Sequence, residues 1–516
     1  MTHSLQTDRR RLILQASALA GAALTPAAWT SAVAQARLPE DPFRLGVASG
    51  EPEPDGVVLW TRLAPRPTEP GFGMGSAPVR VGWEIAEDES LKRVVRRGRT
   101  LAVAEAGHSV HVEVQGLEPD RWYWYRFVAG GYSSPVARTR TAPLPGATPD
   151  RLKVAFASCQ KWEDGYYAAH AGIAADAPDL VLFLGDYIYE RKPSDRALRR
   201  HPEGEAADLA GYRLRHAWYK ADPDLQAAHA AAPWLVTWDD HEVANDYGGD
   251  AAGAESGPAF LARRAAAYQV YYENMPLRRR SRPVGPAMSL YRSLGWGDLA
   301  ALDMLDTRQY RPAPTCLAEI DPKDSKRIPA NCAERDAPAR SLLGATQEAW
   351  LHRRLRSSPA RWNLMGQQYL MGPLGLDKGQ VSNDGWDGYV QTRRRLMETW
   401  RDHRVSNPVV LGGDIHTFFA GDLALKHGDR PVATEFVGGS ISSKGIENRN
   451  LGPLRFFNPH LKYAEGETRG YGLIEVGRDA ARIAFRGVAD ATVRGSPVRD
   501  IAAFAIASGE AGVKPA

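Results

Sequence analysis

The sequence predicts an α/β chain in two parts. An antiparallel β-sandwich is expected over residues 37–145, followed by a layered α/β domain over residues 150–496. Three observations predict it. Between residues 41 and 142, short runs alternate apolar with polar side chains and are bounded by Gly, Pro and Asp, as the strands of a sandwich do. From Leu152 onward, unbroken apolar runs alternate with stretches of helical period, the pattern of a sheet buried on both faces. Strand after strand in this second part ends in a side chain able to bind a metal.

Residues 1–36 read as a leader. Asp8-Arg9-Arg10-Arg11 precedes an Ala-rich, weakly apolar run that closes on Ala34-Gln35-Ala36, a small-x-small cleavage site. That order is the pattern of a twin-arginine signal peptide and is set aside from fold reasoning. The product is expected to be periplasmic or secreted, with the twin-arginine export machinery as a partner. The leader holds three Arg and one Asp, so the formal charge of +4 becomes +2 beyond it. Such a balance carries no nucleic-acid signature. No later run reaches the roughly 20 apolar residues of a membrane span, so neither nucleic acid nor membrane is expected as a stable partner. The remaining length suffices for two domains with ample core. Of the three cysteines, Cys316 and Cys332 bracket a polar loop and can pair, which leaves Cys159 as the odd thiol.

In the first part, strands are expected at Val57–Arg62, Val79–Ile85, Ser109–Val114 and Trp122–Phe127. The segment Gly116–Phe127 resembles the tyrosine-bearing corner of fibronectin type III modules. No catalytic cluster falls here. Pro143, Pro145 and Gly146 through Pro149 read as a linker.

In the second part, Val154–Ala157 leads to Ser158-Cys159, and Leu180–Leu184 to Gly185-Asp186. Trp234–Trp238 leads to Asp239-Asp240-His241-Glu242, Leu299–Leu302 to Asp303 and Asp306-Thr307-Arg308, and Asn407–Leu411 to Gly412-Gly413-Asp414-Ile415-His416. Helices are expected at Pro258–Asn274, Thr346–Ser357 and Thr392–Asp402. Leu180–Leu184 organises the rest, because it delivers Asp186 rigidly to the edge where open α/β sheets keep their ligands. The two oxygens of Asp186 can bridge two cations, and Tyr189, three residues on, can return to the same point. The competing reading makes Asp186 the cap of the following turn, with Tyr187 and Tyr189 as core aromatics. Residues 497–516, rich in Ala and Gly, are expected to be a peripheral tail.

Five strand ends carrying Cys, Asp, Asp-His, Asp-x-Arg and Asp-x-His favour the metal. Two-metal phosphoester hydrolysis needs a bridging carboxylate and terminal ligands for two cations about 3.5–4 Å apart. On Ala157–Gln160, Gly185–Glu190, Trp238–Glu242 with Asn245-Asp246, Leu305–Tyr310, Gly344–Trp350, Trp386–Tyr389 and Gly412–His416, the chain resembles the calcineurin-like metallophosphoesterases, and within them the PhoD-like (alkaline phosphatase D) family. It departs from the wider calcineurin pattern at three places. Ser158-Cys159 stands where Asp-x-His is usual, Asp239–Glu242 where Gly-Asn-His-Glu is, and Gly413–His416 where Gly-His-x-His is. The PhoD-like resemblance implies a calcineurin-like layered sheet sandwich with a fibronectin type III-like domain before it. It implies iron(III) held by Cys159, Asp186, Tyr189 and His416, beside one or more calcium ions. Thiolate and phenolate suit a transition metal, whereas Asp186, Asp240, Asp414 and Asn245 offer the oxygens that suit calcium. A metal-bridged hydroxide would then attack phosphorus in line.

His241 is the expected proton donor to the leaving group or phosphate ligand; the alternative is a capping or structural histidine. Arg308 is expected to clamp phosphate with its planar fork, or else to pair with Asp303 or Asp306. Trp386–Tyr389 lines the mouth of the site or packs in the core. No Gly-x-Ser-x-Gly elbow surrounds Ser158, which argues against a serine nucleophile. The basic run Arg278–Arg282 reads as a solvated face. The expected function is a secreted alkaline phosphatase or phosphodiesterase acting on small phosphate esters, phospholipid or nucleotide diesters included, for phosphate acquisition. The alternative is a phospholipase D-type activity on phospholipid head groups. A binding protein with an inactive centre is disfavoured, because Cys159, Asp186, Tyr189, Asp240, Asp414 and His416 are all present.

Overall fold

The strand Leu180–Leu184 lies inside a ten-stranded sheet, and its side chains divide between two cores. Leu180, Leu182 and Leu184 face a second sheet, while Val181 and Phe183 face helices. This double burial is why the run has no polar position. The computed structural model describes residues 37–316 and 326–516, so the expected leader lies outside the described residues.

The first sheet runs, edge to edge, through strands Lys514–Pro515, Val498–Ala507, Ala480–Val488, Arg469–Gly477, Arg151–Ala157, Leu180–Leu184, Trp234–Thr237, Val47–Glu53, Gly56–Arg62 and Ser109–Gln115. Its centre is parallel: Phe183 registers with Ala157 on one side and Val236 on the other. The second sheet has seven strands, of which Ala300–Met304, Trp362–Gly366, Pro408–Gly412 and Ala433–Gly438 are parallel. Leu302, Leu364, Val409 and Leu411 from this sheet meet Val154, Phe156 and Leu182 from the first in one apolar layer. Helices cover the outer faces, Gly257–Asn274 on the first sheet and Gly344–Arg356 with Val390–Asp402 on the second. All three begin within two residues of the expected positions. The parallel strands of both sheets end on the same side, and the metal-competent residues follow those ends.

The sandwich is present, and its second layer is Val94–Ala102, Val79–Ala86, Trp122–Ala129, Tyr132–Ser133 and Ala137–Arg140. Tyr123, Tyr125 and Phe127 point into its core while Trp122, Trp124 and Arg126 are half-buried. The hydroxyl of Tyr123 accepts a hydrogen bond from the Glu118 amide at 2.9 Å, which is the tyrosine corner its sequence resembles. The first layer, however, is not a separate sheet. Val47–Glu53 pairs with Trp234–Thr237 through Gly50 and Trp234, so three sandwich strands extend the ten-stranded sheet.

Two expectations need correction. Residues 497–516 are no peripheral tail: Val498–Ala507 pairs along the whole of Ala480–Val488, and Phe504 and Ile506 enter the apolar layer between the sheets. Nor is the run Arg278–Arg282 wholly solvated, since Arg278 is buried among Glu51, Glu53 and Glu113. Cys316 and Cys332 form a disulfide. Among the described residues, no helix is long and apolar enough to cross a membrane.

Candidate active site

The side chains that follow the strand ends converge on a cavity of about 360 Å³ lined by Asp186, Asp240, His241, Asn245, Asp414 and His416, among others. A larger groove of about 730 Å³ lies between the sandwich and helix Gly257–Asn274, away from every expected ligand. The smaller cavity holds the chemistry.

Each turn into the cavity is tight. Cys159, Asp186, Asp414 and His416 all have left-handed backbone, with φ of 60°, 55°, 62° and 55°. For a residue with a Cβ this costs on the order of 1–2 kcal/mol, and such outliers gather at functional sites. The glycines before the aspartates permit the approach. A Cβ on Gly185 would lie 2.7 Å from the Asp239 amide nitrogen, and one on Gly413 would collide with the Ser158 hydroxyl. Glu242 then ties two strand ends together, since its buried carboxylate accepts from the amides of Asp186 at 3.2 Å, Tyr187 at 2.6 Å and Asp239 at 2.8 Å.

Three groups of ligand atoms result. In the first, Cys159, Asp186 and His416 have donor atoms within 4.8 Å of one another. Tyr189 joins them, donating to Asp186 Oδ2 at 2.7 Å with its oxygen 3.1 Å from His416 Nε2. In the second, Asp186 meets Asp240 and His241, and in the third Asp239, Asp240 and Asp414 meet. Asp186 belongs to the first two, as a bridging ligand does. Nor does the Asp186 carboxylate cap the following turn: Oδ2 accepts from the Tyr189 hydroxyl and Oδ1 has no hydrogen-bond partner.

Cations fit the donors. Asp186 Oδ1 and Asp239 Oδ2 are buried without a hydrogen-bond partner, and an unpaired buried carboxylate oxygen is costly unless a positive charge faces it. Burial, together with the Asp186 carboxylate, pushes both the Cys159 thiol and the Tyr189 phenol well above their usual ranges. A bound cation inverts that preference and favours thiolate and phenolate. His416 Nδ1 lies 2.9 Å from the Lys444 carbonyl oxygen, the kind of contact that fixes which nitrogen faces a metal. Ser443, which the sequence did not single out, lies 2.8 Å from the Tyr189 hydroxyl and from the Cys159 carbonyl.

His241 faces the cavity with Nδ1 2.6 Å from Glu190 Oε2 and its ring 4.2 Å from that of Tyr189. Burial alone would lower its pKa, but Asp240, Glu190 and Asp186 outweigh burial and raise it. Glu190 also accepts from the Asn245 amide at 2.9 Å, which places Asn245 on the cavity wall.

Arg308 is not where a phosphate clamp would be. It is fully buried beneath the carboxylates, with Nε donating to Asp239 at 2.5 Å and NH1 to Asp384 at 3.1 Å, while NH2 lies 3.3 Å from Asp240. It forms no side-chain pair with Asp303, which meets Arg354, or with Asp306, which accepts from Trp238 and from the Arg308 amide. Its charge compensates the acidic floor. Trp386 is core and wall at once: buried, bonded to Gln367, and lining the cavity.

Comparison with known proteins agrees with this reading. The family model described as PhoD-like phosphatase matches residues 154–485, and that of its N-terminal domain matches residues 28–143. Alkaline phosphatase D of Bacillus subtilis (strain 168) is 41% identical over 527 residues, covering 98% of this chain and 89% of that protein. The solved structure of PhoD matches with a TM-score of 0.88 at 41% identity, covering 93% of this chain and 92% of that one. Fold and relatives together define a phosphoric ester hydrolase, and its site brings together groups that could hold metal ions. The chain belongs to the PhoD-like phosphatase family.

Proposed function

We propose that this enzyme is exported and hydrolyses small phosphate esters for phosphate acquisition, using iron(III) and calcium. One observation carries the reading: Asp186 stands in both the Cys159–His416 group and the Asp240–His241 group. Cys159, Asp186, Tyr189 and His416 would hold the iron, and Asp186, Asp240 and Asp414 the calcium, with Asn245 contributing at the wall. When bound, the cations supply charge that stabilises the phosphoryl transition state and acidify water at the site. The chain's own residues do the rest. The left-handed turns and Glu242 fix Asp186 relative to Asp239. Arg308 keeps Asp239, Asp240 and Asp414 from repelling one another apart. Glu190 holds His241 by Nδ1, so the proton available to a departing oxygen is the one on Nε2.

Hydrolysis of matched phosphate monoesters and diesters by purified, metal-analysed protein tests the reading. Turnover of either class with iron and calcium present is expected; failure with both classes would contradict it, and a preference for phospholipid diesters would favour the phospholipase-type alternative. The order of Arg9-Arg10, apolar run and Ala34-Gln35-Ala36 supports export by the twin-arginine route. Arg9→Lys with Arg10→Lys should strand the precursor in the cytoplasm, and undiminished export would refute that route.

A further inference from the structure

With Arg308 sealed beneath the floor, a different cation faces the place a substrate must occupy. Among the described residues lining the cavity, Lys326 is the one lysine or arginine, in a lining that includes Asp186, Asp240, Asp384 and Asp414. Its side chain is 42% exposed, with Nζ 2.6 Å from Asp246 Oδ1 and 4.0 Å from Asp384 Oδ2. It is also built into place from the main chain outward. The Lys326 carbonyl accepts from the Asn383 amide at 2.9 Å. The next residues, Arg327–Pro329, pair antiparallel with Gln380–Ser382. Ile328 and Val381 pack with the Cys316–Cys332 disulfide in a small apolar cluster of their own. The paired strand Arg327–Pro329 thus carries one ammonium, at Lys326, into the lining of an acidic cavity.

On the reading that this cavity hydrolyses phosphate esters, we propose that Lys326 is a specificity-determining residue that favours the dianionic phosphate of a monoester over the monoanionic phosphate of a diester. The chemistry is a matter of charge. A phosphomonoester, with its second pKa near 6, carries about two negative charges at neutral and alkaline pH, and a diester carries one. An ammonium is a compact point charge with three donors. It can bind a non-bridging phosphoryl oxygen while remaining beside Asp246. Diester substrates replace one such oxygen with an ester oxygen, and the contact weakens.

The test compares wild type, Lys326→Met and Lys326→Arg as metal-loaded full chains. The substrates are 4-nitrophenyl phosphate and methyl 4-nitrophenyl phosphate, which share a leaving group, and inorganic phosphate binding is read by calorimetry. In Lys326→Met, kcat/KM for the monoester should fall roughly ten- to hundredfold relative to the diester, the size of a lost hydrogen bond to a charged group. Inorganic phosphate should weaken by a similar factor, metal content should not change, and Lys326→Arg should restore most of the loss. An unchanged monoester-to-diester ratio overturns the proposal, whether both rates fall or neither does. Loss of metal from Lys326→Met also overturns it, because Lys326 would then be a counter-ion of the centre. Should wild type turn over neither ester, the proposed function fails while phosphate binding still decides the role of Lys326.

Discussion

Two groups of side chains meet at one cavity and are held there by different balances of backbone and charge. Cys159, Asp186, Tyr189 and His416 are positioned by strained left-handed turns at three of the four and by hydrogen bonds among themselves. Asp239, Asp240 and Asp414 share a buried guanidinium, Arg308, that touches or approaches all three, with a left-handed turn at Asp414 alone. The first group has no cation of its own within its donors; the second has one built in. Ligands fixed by backbone geometry suit an ion that demands particular donors and distances. A carboxylate set fixed by charge tolerates the variable geometry of calcium. Asp186 and Asp240, which meet in the group they form with His241, join the two.

The comparison can be broken at several points, and the largest effect is expected at the joint. Asp186→Asn removes the charge that stands both with Cys159 and His416 and beside Asp240, and activity should fall below detection at every pH. Recovery of activity under added calcium alone would show that the groups are independent. Cys159→Ser comes next. A hydroxyl is a harder, weaker ligand than a thiolate, so iron, its visible charge-transfer band and activity should be lost while the sandwich stays folded. A mixed disulfide at Cys159 in fully active protein would contradict its role as a ligand.

His241 stands beside Asp186 and Asp240 but is not among the residues proposed to hold either metal, so His241→Ala should keep both metals. Its kcat should drop by roughly 10²–10⁴-fold, the range of general acid catalysis, with less loss for nitrophenolate than for an alkoxide leaving group. Equal loss for both would assign His241 to phosphate binding instead. The smallest effect is on stability without metal. Burial, against the opposing charges of Lys326 and Arg308, raises Asp414 to about 6. Its protonated form therefore stabilises the metal-free fold fully below pH about 4, the unfolded carboxylate range. That contribution is lost as the pH rises through about 6. The melting temperature of stripped protein should decline across this window. A flat profile would show that Arg308 alone compensates the floor.

In the first group Cys159 and Asp186 were legible as candidates because each sits two residues beyond an apolar strand, where a strand end makes position readable, whereas Tyr189 and His416 lie five and four residues beyond theirs. What held the four in place was not legible. Glu242 and Glu190 act through backbone amides and a histidine distant in sequence, and Ser443 lies in a run of small residues whose course no periodicity reveals. Arg308 was misread for the same reason. Its planar fork suggested a phosphate clamp, and its spacing from Asp303 and Asp306 the alternative of local pairs, but its partners Asp239, Asp240, Asp384 and Asp414 come from three other strand ends. The strand Val498–Ala507 was hidden by its alanines: composition suggested a tail, while the alternation of Phe504 with Ile506 carried the strand signal. The join between sandwich and central sheet rests on Gly50 and Trp234, a pairing across more than a hundred residues with no local signature.

The most direct test of the shared carboxylate is metal analysis of Asp186→Asn beside wild type, purified identically and confirmed as folded. Iron and calcium should fall together, because one oxygen ligand and one negative charge leave both groups at once. Retention of either metal at wild-type occupancy, with the other lost, would contradict a bridging Asp186 and separate the two halves of the site.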